Sequence, residues 1–521
     1  MKSRLLMGID IGTSGTKTAL YDEFGTRLAV HTAEYPLYQP QNGWAEQEPE
    51  DWWQATLSGI GAVLSESHCD PADIVGIGLS GQMHGLVMLD EHGMVLRRSI
   101  IWCDGRTSEE CEDITRLVGA ERLMEITKSP ALTGFTASKI LWVRKHEPDI
   151  YQKCRHILLP KDYIRYRLTG IFATDVSDAS GMQLLDIAKR DWSDEVLSAL
   201  DIDRSMLSRV YESCEVTGEI TEEIATLTGL KTDTIVVGGA GDNAAAAVGC
   251  GAVRDGYGFT TIGTSGVVFS HCKELRTDPQ GRIHSFCAAV PGEYHVMGVT
   301  LAAGLSLRWF RDQFCAVEQT EAAERDVDAY VRMDEVAAEI PIGADRLLYL
   351  PYLMGERTPH LDPFARGAFI GLSASHSRAH CLRAVMEGVI YSLRDCLSLF
   401  DSAGVVAPER MMACGGGAVS PLWRQMLADV LGCSVATAAS NDGGALGAAL
   451  LAGVGAGVWE SVPKACDAVI RLKTEQPAIE QNRVQYEPYY QLYHSVYHAL
   501  RPVYHTLATL KTTYREEPHE S

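Results

Sequence analysis

The stretch Ile11-Gly12-Thr13-Ser14-Gly15 recurs letter for letter as Ile262-Gly263-Thr264-Ser265-Gly266. Each copy follows an apolar run of strand character, Leu5-Leu6-Met7-Gly8-Ile9 and Tyr257-Gly258-Phe259-Thr260-Thr261. Each leads into another, Thr18-Ala19-Leu20-Tyr21 and Val267-Val268-Phe269. The pattern predicts two β-hairpins, one opening each half of a duplicated chain. A single turn of this kind is as readily an ordinary tight hairpin as a binding loop. The repetition gives it meaning. The turn carries no large side chain and offers backbone N–H groups and hydroxyls to an anion. Two such turns facing across a cleft could hold the phosphate chain of one nucleotide.

Outward from these turns, strand and helix patterns alternate in both halves, which argues an α/β protein. At 521 residues the chain exceeds a single core and should split into domains. The boundary is expected near Ala252-Val253, giving units 1–252 and 253–521. One helix is expected over 49–65, mostly helical structure with a strand near Ile157-Leu158-Leu159 over 107–230, and helices near 301–316, 320–339, 376–400 and 481–510. The uncharged, Gly- and Ala-rich stretch 443–459 reads as a buried helix packed through small residues, being short for a bilayer span. Residues 516–521 read as a disordered tail.

A net charge of −22 argues against general binding to nucleic acid or to an anionic membrane. A bound anion must therefore be held by local dipoles, a few basic side chains and a metal ion. The 14 cysteines show no Cys-x-x-Cys and no zinc spacing, so they read as reduced thiols of a cytoplasmic protein.

Asp10 ends the first strand two residues before the first turn. It is placed either to cap that turn or to hold Mg²⁺ through water. Gly12, Thr13, Ser14 and Lys17 follow, without the ending of a P-loop. Asp242, in Gly239-Ala240-Gly241-Asp242-Asn243, reads equally as a helix N-cap and as a bare general base for a hydroxyl. Gln82-Met83-His84-Gly85 follows a strand end at Ser80. Trp102, Asp104 and Arg106 put an aromatic face, an acid and a base in one loop, a mixture suited to a small polyhydroxylated ligand. Cys414-Gly415-Gly416-Gly417-Ala418 could admit a flat adenine.

With these residues in view, the chain resembles the FGGY family of carbohydrate kinases over nearly its full length. One family signature is met by Gly134, Thr136, Lys139, Ile140, Trp142, Val143, Lys145 and His146. A second is met by Gly367-Ala368-Phe369-Ile370-Gly371-Leu372 and Ala384-Val385-Met386-Glu387, with Cys381 where an aliphatic residue is usual, a change expected to alter helix packing only. Further resemblance lies in Gly81-Gln82-Met83-His84-Gly85, Trp102-Cys103-Asp104-Gly105-Arg106, Leu159-Pro160-Lys161-Asp162-Tyr163, Gly241-Asp242-Asn243-Ala244-Ala245 and Gly355-Glu356-Arg357-Thr358-Pro359-His360. These loops are most like those of members acting on D-xylulose, with ribulose, gluconate or glycerol as alternatives.

The resemblance implies two related actin/hexokinase-like (ribonuclease H-like) domains with an active-site cleft between them, and ATP and Mg²⁺ as co-substrate and metal. It implies Asp242 as catalytic base, Asp10 beside the metal, and Met83, His84, Asp242 and Asn243 at the sugar. It also implies Gly12, Thr13, Thr264 and Ser265, joined here by Ser14, Lys17 and Gly263, at the phosphates, and Gly416 and Gly417 at the adenosine. The expected partners are the sugar and ATP, with no nucleic acid, no membrane, and a homodimer as the candidate assembly. A non-catalytic member of the actin-like superfamily is the rival from another class, and an Asp at 242 counts against it.

Overall fold

The computed structural model describes residues 4–440 and 442–510; the tail at 516–521 lies outside them. Two mixed sheets dominate. The first runs, in spatial order, Arg27–Glu34, Gly15–Tyr21, Leu5–Ile11, Ile74–Gly81, Ile235–Val237 and Val216–Glu219. Successive neighbours pair antiparallel, antiparallel, parallel, parallel and antiparallel. The second runs Tyr294–Thr300, Gly266–Cys272, Tyr257–Ile262, Arg410–Cys414, Ser434–Ala438 and Leu472–Gln476, with the same five senses. The repeated pentapeptide therefore marks a repeated six-strand unit. The second sheet adds one outer strand, His284–Cys287.

The central strands are buried on both faces, as their near-continuous apolar sequences demand. Leu5–Ile11 is fully buried except at Asp10. Helix Pro49–Ser67 lies on one side of the first sheet, burying Trp52, Trp53 and Ile60 among the core that holds Met7, Ile9 and Leu79.

The other side is covered by a helix from far along the chain. Gly443–Gly455 places Ala445, Leu446 and Ala449 against Leu6, Ala19 and Tyr21 of the first sheet. Reciprocally, Asp242–Cys250 places Ala247 and Cys250 against Phe259, Phe269 and Met412 of the second sheet. The two helices cross in direct contact, and glycine sets how close they come. A Cβ on Gly447 would stand 1.9 Å from Ala245 O, and one on Gly249 would stand 2.0 Å from Gly443 O. Gly8 and Gly78 admit the same helix to the sheet: each would carry its Cβ to 1.8 Å from a carbonyl oxygen, of Ala445 and Ala448. The uncharged small-residue stretch is thus a buried helix, ending at Gly455 rather than 459.

Other boundaries shift. The segment 107–230 contains short strands at Ala173–Asp175, Leu185–Asp186, Asp191–Trp192, Arg209–Tyr211 and Val216–Glu219 among its helices. The helix expected over 320–339 is two, Ala316–Glu324 and Ala329–Ala338. Asp328 caps the second by accepting from Tyr330 N, a local bond the periodicity does not reveal. Cys381 lies partly buried on helix Arg378–Ser402, against the second core. All 14 cysteines are unpaired. Among the described residues no helix is long and apolar enough to cross a membrane.

Candidate active site

Asp10 and Asp242 arrive from opposite sides of one strand. Asp10 pairs with Ser80 in parallel register, and Ala240–Gly241 pairs with Ser80 and Gly81 on the other flank. At the usual strand spacing this sets the two backbones about 10 Å apart, so their side chains can meet over the strand end. Asp10 Oδ1 accepts from Ser80 Oγ at 2.7 Å. A Cβ on Gly444 would come 2.8 Å from Asp10 Oδ2, so that helix start must be glycine to leave the carboxylate room. Burial holds the Asp10 carboxyl above its ordinary pKa, opposed by the Ser80 bond and the charge of Lys17.

Asp242 is the first residue of its helix, and Gly241 stands at the N-cap, so the N-cap reading of Asp242 is corrected. Its Oδ1 accepts from Asn243 N at 2.7 Å and Asn243 Nδ2 at 3.0 Å. Burial, then the neighbouring charge of Asp10, pushes its pKa up to about 7 despite those two bonds. The preceding turn is fixed from behind. Arg165 donates to Val237 O and Gly238 O, and Gly241 N donates to Ser177 Oγ at 3.1 Å.

The two pentapeptide turns share one logic with different parts. In the first, carbonyls are taken inward by side chains: Tyr35 O–H donates to Gly12 O, Gln47 Nε2 to Thr13 O, and Gln82 Nε2 to Gly12 O. In the second, the helix Gly304–Phe314 does the same work, Gly304 N donating to Gly263 O and Leu305 N to Thr264 O. Among the described residues the amides of Thr13, Ser14, Thr264 and Ser265 meet no acceptor. None of the turn glycines has a positive φ. Their value here is room, not left-handed backbone. Lys17 sits opposite Asp10 across the hairpin and reaches Asp442 at 3.8 Å. Gly416 and Gly417 pack beside the second turn: a Cβ on Gly417 would lie 2.6 Å from the Ile262 side chain, while Gly416 has open space.

Met83 and His84 meet at Gly181, where a Cβ would touch both side chains. Met83 fills the space left by Gly241, whose Cβ would fall 2.9 Å from Met83 Cγ. His84 has φ +70°, an uncommon and strained conformation for a side-chain-bearing residue. Buried Lys139 imposes it, donating to His84 O and Gly134 O at 2.8 Å each. The His84 ring stacks on Phe135 at 4.5 Å, and its Nδ1 lies 2.8 Å from Gly181 O. Burial, with the charges of Lys139 and Arg357 beside it, pushes the imidazole down to about 3. It is neutral, so Nδ1 carries the proton donated to Gly181 and Nε2 is left as an acceptor.

Trp102 is exposed, and its indole N–H donates to Thr13 Oγ1 at 2.9 Å. Asp104 and Arg106, expected to bond the hydroxyls of a ligand, are instead engaged within the protein. They are buried and paired with each other; Arg106 also reaches Glu46, and its guanidinium stacks on Trp44 at 3.7 Å. Asp104 Oδ2 accepts from Ala45 N. This pair shapes the loop that carries Trp102.

The residue reading did not single out Ser80 or Gly181 as part of the site. Ser80 had a signal as the strand end beside Met83; Gly181, in the short 3-10 helix Ser180–Met182, had none.

The chain matches the FGGY family of carbohydrate kinases, N-terminal domain, over residues 5–249 and the C-terminal domain over residues 258–456. The chain belongs to this family, and is a sugar kinase with the family's two-domain fold. It is 41% identical to the xylulose kinase of Bacillus subtilis, over 94% of this chain and 96% of that one. Its structure is similar to those of xylulose kinase from Rhodospirillum rubrum (TM-score 0.89, 31% identity) and gluconate kinase from Lactobacillus acidophilus (TM-score 0.90, 27% identity). These cover 96% and 97% of this chain, and 100% of each of those chains.

Proposed function

We propose that the protein transfers the γ-phosphoryl group of ATP to the 5-hydroxyl of D-xylulose, with Asp242 as general base. The observation that carries the mechanism is the Asp242 carboxyl, pinned by Asn243 and poised near pH 7 by burial and by Asp10. A base of that strength can take the hydroxyl proton as the oxygen attacks in line. Asn243 keeps the second carboxylate oxygen free for it. Met83 and His84 hold the other end of the sugar, the neutral His84 Nε2 accepting a hydrogen bond from a hydroxyl, and Trp102 offers its face to C–H groups. The free amides of the two turns, with Lys17, receive the phosphates, and Gly416 and Gly417 the adenosine. Phosphoryl transfer rests chiefly on such positioning and electrostatics.

Asp10 suits Mg²⁺. Its Oδ2 is uncommitted, and the missing Gly444 side chain leaves a cradle beside it. Among the described residues no group of three or more acid, His or Cys side chains could form a complete cage. That fits an ion that keeps its waters and arrives on the nucleotide. When bound it would neutralise charge on the phosphates. The division at 252–253 and a reducing, cytoplasmic setting, in keeping with the unpaired thiols, belong to the same proposal.

Similarity to xylulose kinases at 41% and 40% identity supports D-xylulose as the sugar. The high TM-score to a gluconate kinase keeps other polyhydroxy substrates as the competing reading. A coupled assay of ADP release over D-xylulose, ribulose, gluconate and glycerol decides between them. D-xylulose should give the highest kcat/KM; a higher value for another sugar would replace it.

A further inference from the structure

The loop around Arg357 takes no part in the mechanism above, yet it is built with care. Glu356 N donates to Asp362 O and Asp362 N to Glu356 O, both at 2.9 Å, closing its base. The Glu356 carboxylate accepts from Leu301 N and Arg357 N at 2.9 and 2.8 Å. Thr358 N donates to Val299 O, and Val299 N to Thr358 Oγ1. Tyr497, on the helix Glu480–Thr509, donates to Asp362 at 2.8 Å. Held at all these points, the loop projects one side chain without a partner. Among the described residues the Arg357 guanidinium has neither a hydrogen-bond acceptor nor an ion pair, although burial pushes its pKa down and only the nearby Glu356 charge opposes that.

Its position is set by a shared strand edge. His284–Cys287 lines the edge of Tyr294–Thr300 as far as Met297, opposite His284. Two residues further on, at Val299, Thr358 takes over the same edge. Arg357 therefore neighbours His284, whose ring lies 5.7 Å from Phe135, which in turn stacks on His84. The Arg357 charge bears on both histidines. A guanidinium from the second half of the chain thus stands beside His84, on the other half's side, and His284, on the second sheet's edge.

We propose that Arg357 binds the α-hydroxyketone end of the sugar and makes the enzyme select a 2-ketose over the corresponding polyol. The inference rests on the sugar-kinase reading above. A ketone oxygen can only accept hydrogen bonds, and a guanidinium can only donate, through a planar fork that spans two adjacent oxygens. His84 Nε2, an acceptor, complements it by taking the neighbouring hydroxyl. Reduction of the ketone replaces the planar, acceptor-only group with a tetrahedral alcohol that no longer fits the fork.

The test is calorimetric titration and steady-state kinetics with D-xylulose and D-arabinitol, one of the two polyols formed by reducing its C2 ketone, using wild type, Arg357→Gln and Arg357→Lys. Wild type should favour the ketose. Arg357→Gln should lose about 10- to 100-fold in D-xylulose affinity. Its D-arabinitol affinity should change by less than about threefold, with KM for ATP constant. Arg357→Lys, which keeps the charge without the fork, should fall between and guards against a folding failure. Equal losses for both sugars, a ketose preference that survives Arg357→Gln, or a rise in KM for ATP instead would overturn the assignment while leaving the kinase reading intact. A wild-type enzyme active only on an aldonate or a polyol would overturn both.

Discussion

As the proposed base, Asp242 has to be buried enough to titrate near neutrality and still ionise in the working enzyme. Its place at the start of a helix favours the anion, but burial and Asp10 prevail. Two consequences can be measured. The acid limb of kcat/KM should rise through about pH 7, and Asp242→Asn should remove about 10² to 10⁴ of kcat while D-xylulose still binds. The folded pKa lies above the unfolded one, so the contribution of this group to stability is greatest below about pH 4 and is lost as pH rises through 7. Asp242→Asn should therefore melt higher than wild type, by a margin that widens up to about pH 7 and then levels off. The shift sets an upper bound of about 4 kcal/mol on that margin. A margin independent of pH would mean that the carboxyl is not perturbed. Asp10→Ala should act through the metal, changing the Mg²⁺ dependence of kcat more than KM for the sugar; superimposable Mg²⁺ titrations at equal kcat would reduce Asp10 to a turn residue. Both acids were legible because each sits at the end of an apolar run beside glycine. Gly181 and the surroundings of Arg357 were not, because their meaning lies in contacts across distant parts of the chain, such as Thr358 with Val299.

At the scale of elements, the identical pentapeptides fold alike but are held by unlike means, side chains from Tyr35, Gln47 and Gln82 in one and a helix start in the other. A local repeat announces the hairpin, whereas its supports come from positions up to 70 residues away. The same contrast governs the small-residue helix. Its composition announced close packing but could not say against what, and the answer is the opposite half's sheet and helix. Glycine substitutions separate these cases. Gly447→Ala would force a Cβ to 1.9 Å from Ala245 O and should cost about 1–3 kcal/mol or prevent folding. Gly61→Ala, inside helix Pro49–Ser67 with nothing within 4 Å of the new Cβ, should stabilise by about 0.5–1 kcal/mol. Denaturant midpoints at constant m check both, and equal shifts would mean that the helix crossing relaxes freely.

Over the whole molecule, the proposed substrate groups are divided between the halves. Asp10, Asp242, Met83, His84 and the first turn belong to one sheet's surroundings; the second turn, Gly416, Gly417 and Arg357 belong to the other's. The crossed helices Asp242–Cys250 and Gly443–Gly455 join the halves, meeting backbone to backbone at Gly447 and Gly249 and packing Val248 with Leu446 in one buried cluster. A nucleotide held by only one turn is poorly placed for transfer, so chemistry requires both halves to approach it. On the proposed assignment the sugar is gripped by His84 on one side and Arg357 on the other, which makes it the ligand that favours that approach. Sugar binding should make the enzyme more compact and complete the ATP site, and ATP should be hydrolysed slowly in its absence. Small-angle scattering with and without D-xylulose reads the geometry, and the basal ATPase rate reads the coupling. The radius of gyration should fall on adding D-xylulose, and fall less in Arg357→Gln at equal saturation, because one of the two grips is gone. If the radius stays constant while ATP turns over as fast without sugar as with it, the halves do not close on the sugar, and water must be kept from the phosphoryl group by some other part of the fold.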